Sequence, residues 1–383
     1  MSTKNKQLCR RGFPPYLPEN VVEEILLRLP VKSLVRFKCV SKHWRSLISN
    51  PQFAKLQFQR TSVRSQRLLI SFGSEIRSLD CEAPFQDSST PSVIAVPFQK
   101  QGRYVRIIGS CNGLVCVALY SRRYFYIWNP STGYYRKLPD PGISLSEGIH
   151  SHGFGYDPST DDYKLLVANF RMPPPRESEI KVFSFKRNSW KILRGLNHPG
   201  LAGSCRGSAG ILCNGSLHWH IHDSREPLYG LRICRFDLAE EKFDEMLMPF
   251  WDLIEHHRDA FIGGNNRETF IVGLRNLGEY LCFMVSTTTH IEIWGMMEYG
   301  VIGSWAPMLR ANYFQPVPGV TFINPLFLSR SQLVAMTAGF ALMRSNPDGE
   351  ILEYVEYFSG RRSTFFYATV FVESLLSPYL CLT

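Results

Sequence analysis

Two strings 102 residues apart share one pattern: Cys111-Asn112-Gly113-Leu114-Val115-Cys116 and Cys213-Asn214-Gly215-Ser216-Leu217-His218-Trp219. Asn-Gly between apolar runs marks a tight hairpin, because both residues accept the positive φ angles that such a turn needs. A second unit recurs at shorter spacing. Tyr126-Ile127-Trp128-Asn129-Pro130-Ser131-Thr132-Gly133, continuing to Leu138-Pro139, matches Phe154-Gly155-Tyr156-Asp157-Pro158-Ser159-Thr160, continuing to Lys164-Leu165. Weaker copies run from Val182-Phe183-Ser184-Phe185 to Trp190-Lys191-Ile192-Leu193, and from Cys234-Arg235-Phe236-Asp237 to Met248-Pro249. Each is a strand, a polar turn and a second strand opening with an aromatic residue. Positions 129, 157 and 184 are about 28 apart and 237 lies 53 further on, so hairpins pair into units near 50 residues. That is the period of a four-stranded propeller blade. Residues 66–378 number 313, which leaves room for about six blades. Copies degrade after Asp237, and two stacked sandwiches are the structural alternative.

The first sixty residues follow a different rule. Pro18 suits a helix start, and Val21, Val22, Ile25, Leu26 and Leu29 recur at helical spacing until Pro30 stops the run. Leu34, Phe37, Cys39 and Val40 form a second short stretch. Ser41 is placed as the N-cap of a third helix carrying Trp44, Leu47 and Ile48, which Pro51 ends. The fold class expected is therefore α plus all-β: a small N-terminal three-helix module followed by a β-propeller. The boundaries expected are a basic disordered tail at 1–15, the helical module at 16–60, a connector at 61–65 and the propeller at 66–378. So small a module has little core to offer, yet it carries about a dozen large apolar side chains. Some must stay uncovered, and such a patch marks an interface.

Charge separates the same two parts. Residues 1–60 hold 12 Lys/Arg against three Asp/Glu, whereas the remaining chain holds 31 against 30. A basic module beside a nearly neutral body calls for an acidic partner. Its basic residues are interleaved with helical apolar positions rather than exposed aromatics, which favours an acidic protein over nucleic acid. The ten cysteines form no CxxC pair or disulfide-like framework, the opening residues lack an apolar signal core, and no apolar run approaches the ~18 residues of a membrane span. Leu333–Met343, the longest candidate, reads as a core strand. The expectation is a soluble, reduced, intracellular protein, with no membrane and no nucleic acid among its partners.

The string from Leu17-Pro18-Glu19-Asn20 through Glu24-Ile25-Leu26-Leu27-Arg28-Leu29-Pro30-Val31-Lys32-Ser33-Leu34 to Phe37-Lys38-Cys39-Val40-Ser41-Lys42-His43-Trp44-Arg45-Ser46-Leu47-Ile48 resembles a plant F-box. Only Asn20, where the family often has Asp or Glu, departs from the pattern. Gly109–Val115, Trp128–Gly133, Gly153–Asp157 with Asp162-Tyr163-Lys164, and the ending Val372–Pro378 resemble the plant F-box-associated, kelch-related propeller domain and its closing strand. The resemblance implies docking on the Skp-type adaptor of a cullin/RING ubiquitin ligase, in the cytoplasm or nucleus, with an unknown target protein held for ubiquitination and proteasomal degradation. Carried over residue by residue, it assigns adaptor binding to Leu17, Pro18, Ile25, Leu29, Pro30, Leu34, Val40, Ser41 and Trp44. The same residues could instead be the module's own core.

Catalytic chemistry finds little support. There is no GxSxG, P-loop or dinucleotide fingerprint. His218, His220 and His222 alternate on one strand face, but three collinear ligands suit tetrahedral zinc poorly. His256-His257 offers no better set. Cys111 and Cys116 lie in apolar strands, where thiols are inert. The chain is read as a non-enzyme with no catalytic residue, metal or cofactor. A propeller enzyme or metal-binding hydrolase, with the helices serving oligomerisation, is the competing function. Target recognition is expected from rim loops, with Tyr120–Tyr124, Arg171–Arg176 and His222–Arg225 as candidates.

Overall fold

The computed structural model describes residues 17–61, 66–72, 75–85, 92–98, 105–119, 124–142, 151–170, 178–194, 208–222, 231–248, 271–286, 290–312, 323–329, 332–337, 341–356 and 366–379. Helices come first: α1 (Glu19–Leu27), α2 (Val31–Phe37), α3 (Lys42–Ile48) and α4 (Pro51–Thr61). Pro18 and Pro30 sit at the N-cap positions of α1 and α2, where a missing N–H costs nothing. Ser41 caps α3, its Oγ accepting from the Trp44 N–H at 3.1 Å. The fourth helix corrects the three-helix expectation. Pro51 opens α4 rather than ending α3, because Asn50 Oδ1 accepts from the N–H groups of Gln52 and Phe53 (2.8 and 3.4 Å). Asn followed by Pro is a helix start as readily as a stop. α4 also runs to Thr61, into the stretch expected to be connector.

Six sheets follow. The first blade contains β1 (Gln66–Phe72), β2 (Glu75–Asp80) and β3 (Ser92–Ile94). The second is β4 (Val105–Cys111), β5 (Leu114–Leu119), β6 (Tyr124–Trp128) and β7 (Tyr135–Lys137). The third is β8 (Ser151–Asp157), β9 (Asp162–Phe170), β10 (Ser178–Ser184) and β11 (Ser189–Leu193), with β12 (Ser208–Ala209) added parallel to β8. The fourth is β13 (Ile211–Cys213), β14 (Ser216–His222), β15 (Leu231–Asp237) and β16 (Lys242–Leu247). The fifth is β17 (Ile271–Leu277), β18 (Tyr280–Ser286), β19 (His290–Met296) and β20 (Trp305–Asn312). The sixth is β21 (Ile323–Leu328), β22 (Leu333–Thr337), β23 (Leu342–Ser345) and β24 (Ile351–Val355). The last strand, β25 (Phe366–Val372), returns to β1 and completes the first blade in the order β25-β1-β2-β3. Six separate four- and five-stranded sheets exclude the stacked-sandwich alternative. Leu333–Met343 is not one strand but parts of β22 and β23, which pair antiparallel.

The repeated sequence markers are turn caps. Asn129 Oδ1 accepts from the Ser131 and Thr132 N–H groups, and Asp157 Oδ1 from that of Ser159. Ser184 Oγ accepts from the Arg187 N–H, and Asp237 Oδ1 from those of Ala239 and Glu240. Each short polar side chain substitutes for a strand bond where the hairpin reverses. The Asn-Gly pairs behave as expected, with φ of 51° and 76° at Asn112 and Gly113, and 45° and 71° at Asn214 and Gly215.

Charged struts cross between blades. Lys164 on β9 donates to Leu238 O and lies 3.1 Å from Glu241, which also pairs with Lys191 at 2.6 Å. Buried Arg344 on β23 pairs with Glu353 at 2.7 Å and donates to the carbonyls of Cys81 and Ala83, joining the sixth blade to the first. A buried guanidinium needs such saturation, since an unmatched one costs several kcal/mol.

The chain after β25 locks the ring. Asn129 Nδ2 donates to Ser374 O (3.0 Å) and Leu376 O (2.7 Å). The string read as a closing strand thus divides: the strand ends at Val372, and Ser374–Leu376 is a clamp over the second blade. Gly113 lies beneath it. A Cβ there would come within 2.2 Å of Ser374 Oγ and 2.7 Å of Val372 O, whereas a Cβ at Gly215 meets nothing within 4 Å. Both glycines pay the left-handed penalty, about 1–2 kcal/mol on replacement by Ala. Gly113→Ala must also displace backbone, so it is expected to destabilise clearly more than Gly215→Ala in urea unfolding. Equal losses in the two variants would contradict the clamp.

Candidate functional site

One side of the helical module faces inward. Leu26, Leu27, Val31, Leu34, Ile48, Phe53 and Ala54 are buried in a continuous apolar cluster with Ile108, Cys111, Leu114, Leu375 and Leu376 of the propeller. Lys55 pairs with Asp161 at 2.9 Å, and the Lys38 ammonium sits 5.9 Å from the Tyr134 ring centroid. Within the module, Arg60 forks onto both carboxylate oxygens of Glu24 (2.8 and 3.1 Å), tying α4 to α1. Gln57, fully buried, donates to Leu29 O, and Phe37 tilts against Trp44 with centroids 5.5 Å apart. The module is therefore held by its own contacts and by the ring.

Its other side is bare. Leu17 is 60% exposed, Val21 37% and Ile25 47%. Val21 and Ile25, one four-residue step apart on α1, share one face of the helix, and Leu17 lies just ahead of its N-cap Pro18. Val40, 62% exposed, lies at the junction of α2 and α3. Free-standing Val and Ile in a helix gain nothing from water, and a contiguous set of them marks an interface. Lys32, Arg36, Lys42, His43 and Arg45 are also exposed on α2 and α3, giving this apolar surface a basic rim.

Of the nine residues assigned to docking, Leu17, Pro18, Ile25, Pro30, Val40 and Ser41 are exposed, and Leu29 and Trp44 are half-buried. Leu34 is completely buried and belongs to the internal cluster. The exposed members fall into two groups, one along α1 and one where α2 meets α3. Val21 was not among the nine, although its four-residue spacing from Ile25 places the two on one face of α1. Leu56 on α4 is exposed too, at 42%.

Neither of the other chemistries weighed from the sequence gains a site. His218 is buried; its Nε2 lies 2.8 Å from the Tyr299 hydroxyl and its Nδ1 3.1 Å from Ile211 O. It is a hydrogen-bonded core histidine. His220 is half-buried, while the side chain of His222 and both His256 and His257 lie outside the described residues. Among the described residues no group of three His, Cys, Asp or Glu could hold a metal ion. Burial pushes the thiols of Cys111, Cys81 and Cys282 up to about 12, and that of Cys213 to about 11, so none is a thiolate at neutral pH. Of the three rim strings, 120–123, 171–176 and 223–225 lie outside the described residues. Among the described residues no helix is long and apolar enough to cross a membrane.

Residues 15–56 match the F-box domain family, and residues 69–350 match the F-box associated beta propeller domain family. The chain belongs to the plant F-box family with an F-box-associated propeller. An Arabidopsis thaliana F-box/kelch-repeat protein is 30% identical over 97% of this chain and 99% of its own length. The F-box protein CPR1 of Arabidopsis thaliana is also 30% identical, over 82% of this chain and 78% of its own. A putative F-box protein from the same plant is 33% identical over 83% and 69%. The family match spans both parts of the fold, and membership makes this F-box protein a non-enzymatic one. The helices with the bare stripe are the F-box, and the ring is its associated propeller.

Burial fixes the protonation of His218. Loss of hydration holds its imidazole down at about 4 against an ordinary 6.5. The unfolded chain binds this proton more readily, so stability from His218 is complete above about pH 6.5 and is lost as pH falls towards 4. The full loss is up to roughly 3 kcal/mol. Unfolding of the F-box protein measured from pH 7 to 4.5 should show this decline. His218→Gln is expected to flatten the slope by about one proton, and an unchanged slope would count against a neutral buried imidazole.

Proposed function

We propose that this F-box protein is the substrate-recognition subunit of an SCF-type ubiquitin ligase. The exposed face of α1 and the α2–α3 junction dock a Skp-type adaptor, which connects the chain to a cullin/RING ligase, and the propeller rim holds a target protein. The observation that carries this reading is the exposed apolar set of Leu17, Val21 and Ile25, left open to solvent while the opposite side of the same module is fixed to the propeller. A module covered on one side only is complete when a partner covers the other. The basic rim suits an acidic adaptor, through steering of encounter more than through affinity.

The role is positional. Buried, protonated cysteines supply no nucleophile for ubiquitin transfer. Docking one end on the adaptor and a target on the other raises the target's effective concentration near the charged carrier. The clamp of Asn129 on Ser374 and Leu376, beside the helices' internal cluster, keeps the two ends in fixed geometry. Targets would be marked for proteasomal degradation, in the cytoplasm or nucleus where that machinery works.

Full-length chain titrated with purified Skp-type adaptor tests the assignment. Leu17→Ala with Pro18→Ala should weaken binding at least a hundredfold, about 2.7 kcal/mol, while leaving the propeller's thermal unfolding in place. Leu34→Ala should behave differently, costing about 2–5 kcal/mol of stability because it opens a cavity in the internal cluster. Undiminished binding by a folded Leu17/Pro18 double variant would contradict the docking face.

A further inference from the structure

Strand pairing in the fifth blade gathers three sulfur atoms at one place. Cys282 on β18 stands opposite Gly295 on β19. Met297, two residues after Gly295, falls on the same side of the sheet. The register of β19 with β20 shifts between Ile293 and Trp294, which leaves Met308 without a partner between Pro307 and Leu309. A bulge of this kind re-aims the extra side chain. Here Met308 is turned over Gly295, and its Sδ lies 3.6 Å from Cys282 Sγ. A Cβ on Gly295 would come within 2.9 Å of the Met297 methyl and closer still to Met308 Sδ. No left-handed φ explains this glycine. Its missing side chain is the room that the two thioethers occupy.

The three side chains lead from the interior to the surface. Cys282 is fully buried, Met308 half-buried and Met297 42% exposed. Met297 opens the β19–β20 loop on a long unbranched side chain, so the cluster has a way in from solvent. Bonds of about 2.3 Å, the zinc–thiolate length, place two sulfurs on one tetrahedral ion about 3.8 Å apart. Cys282 and Met308 already stand near that spacing. Zinc takes thiolate, imidazole and carboxylate, and among the described residues no group of three His, Cys, Asp or Glu forms. Thioether donors are softer and suit Cu(I). Charge points the same way. One thiolate with two neutral thioethers cancels a single positive charge. A divalent ion would leave a charge unmatched beside the apolar Leu277, Ile293 and Leu309 of the same cluster.

We propose that Cys282 Sγ, Met308 Sδ and Met297 Sδ form a binding site for a monovalent soft metal ion, Cu(I). Binding exchanges the Cys282 thiol proton for the ion; the proton leaves to solvent and copper keeps its oxidation state. The exposed Met297 swings in to complete the set. The bound ion ties β18 to β20 and to the start of the loop between β19 and β20. None of the three residues lies on the helices, so this site is separate from the docking face.

The test uses the reduced full-length chain under nitrogen, with Cu(I) supplied from a bathocuproine disulfonate buffer. Other thiols can also take Cu(I), so variants identify the site. Met297→Leu with Met308→Leu keeps volume and apolarity, and is expected to weaken the tightest equivalent of Cu(I) at least tenfold. Met248→Leu, buried in a different apolar cluster, and Cys39→Ser, exposed on the helical module, are expected to leave it unchanged. On the unaltered protein, copper-edge X-ray absorption at one equivalent should show sulfur neighbours and no nitrogen or oxygen. The same equivalent should raise the midpoint of thermal unfolding, because the site exists only in the folded chain. Equal Cu(I) affinity in the parent and the double methionine variant, nitrogen or oxygen bound to copper, or thermal unfolding indifferent to the ion would overturn the proposal. The last two readings need no variant, so they decide the matter even if the double variant fails to fold. Adaptor binding is measured on the same samples, so failure of the copper site is separable from failure of the docking face.

Discussion

Pairing of β25 with β1 is the contact on which the remaining architecture rests. Seven consecutive residue pairs, Gln66 with Val372 through Phe72 with Phe366, join the two ends of the propeller chain across some three hundred residues. A propeller blade has free sheet edges and an apolar face that only its neighbours can cover. Without β25 the first blade would lose its inner strand, and the ring of inner strands would open. The chain that follows the strand turns the closure into a foundation. Ser374 and Leu376 accept from Asn129, Leu375 and Leu376 join the apolar cluster under the helices, and Gly113 gives the backbone room to pass. The F-box thus sits on the seam where the ring is sewn.

That placement settles which side chains are free to meet a partner. Short helices are marginal alone and depend on the apolar face they bury. Here α1 divides its hydrophobic residues between two directions: Leu26 and Leu27 go inward, and Val21 and Ile25 go outward, with Leu17 exposed just ahead of the helix. The inward set pays the folding cost of the module. The outward set is largely open to solvent in the chain on its own, so an internal core is not a sufficient account of the string from Leu17 to Ile48. The competing picture, helices serving oligomerisation beside a propeller enzyme, gains nothing from the described residues: His218 is consumed by Tyr299 and Ile211, and the buried thiols stay protonated.

Much of this was legible in the sequence, where local rules dominate. Asn112-Gly113 and Asn214-Gly215 announced their hairpins because two adjacent positive φ angles admit few residue pairs. Asn129, Asp157, Ser184 and Asp237 announced the blade period because each caps a turn. Ser41 announced α3 by the same logic. Reading failed where two signals coincide or where contacts are distant. Asn50-Pro51 served as a helix start although Pro51 alone reads as a stop. Leu333–Met343 held parts of two strands, and no Asn-Gly pair stands between Thr337 and Leu342 in the sequence to announce the second. The exposure of Val21 and the burial of Leu34 could not be told apart by periodicity, since both sit on apolar positions and only the ring decides which side is covered.

Hydroxyl-radical footprinting of the full-length protein, alone and with a Skp-type adaptor, reads the central claim directly at the side chains. Free protein should show Leu17, Ile25 and Val40 oxidising at rates typical of exposed residues, and the adaptor should suppress all three while leaving Leu352 on β24, 52% exposed, unchanged. Slow oxidation of the three in the free protein, or the same rates with and without adaptor, would contradict it.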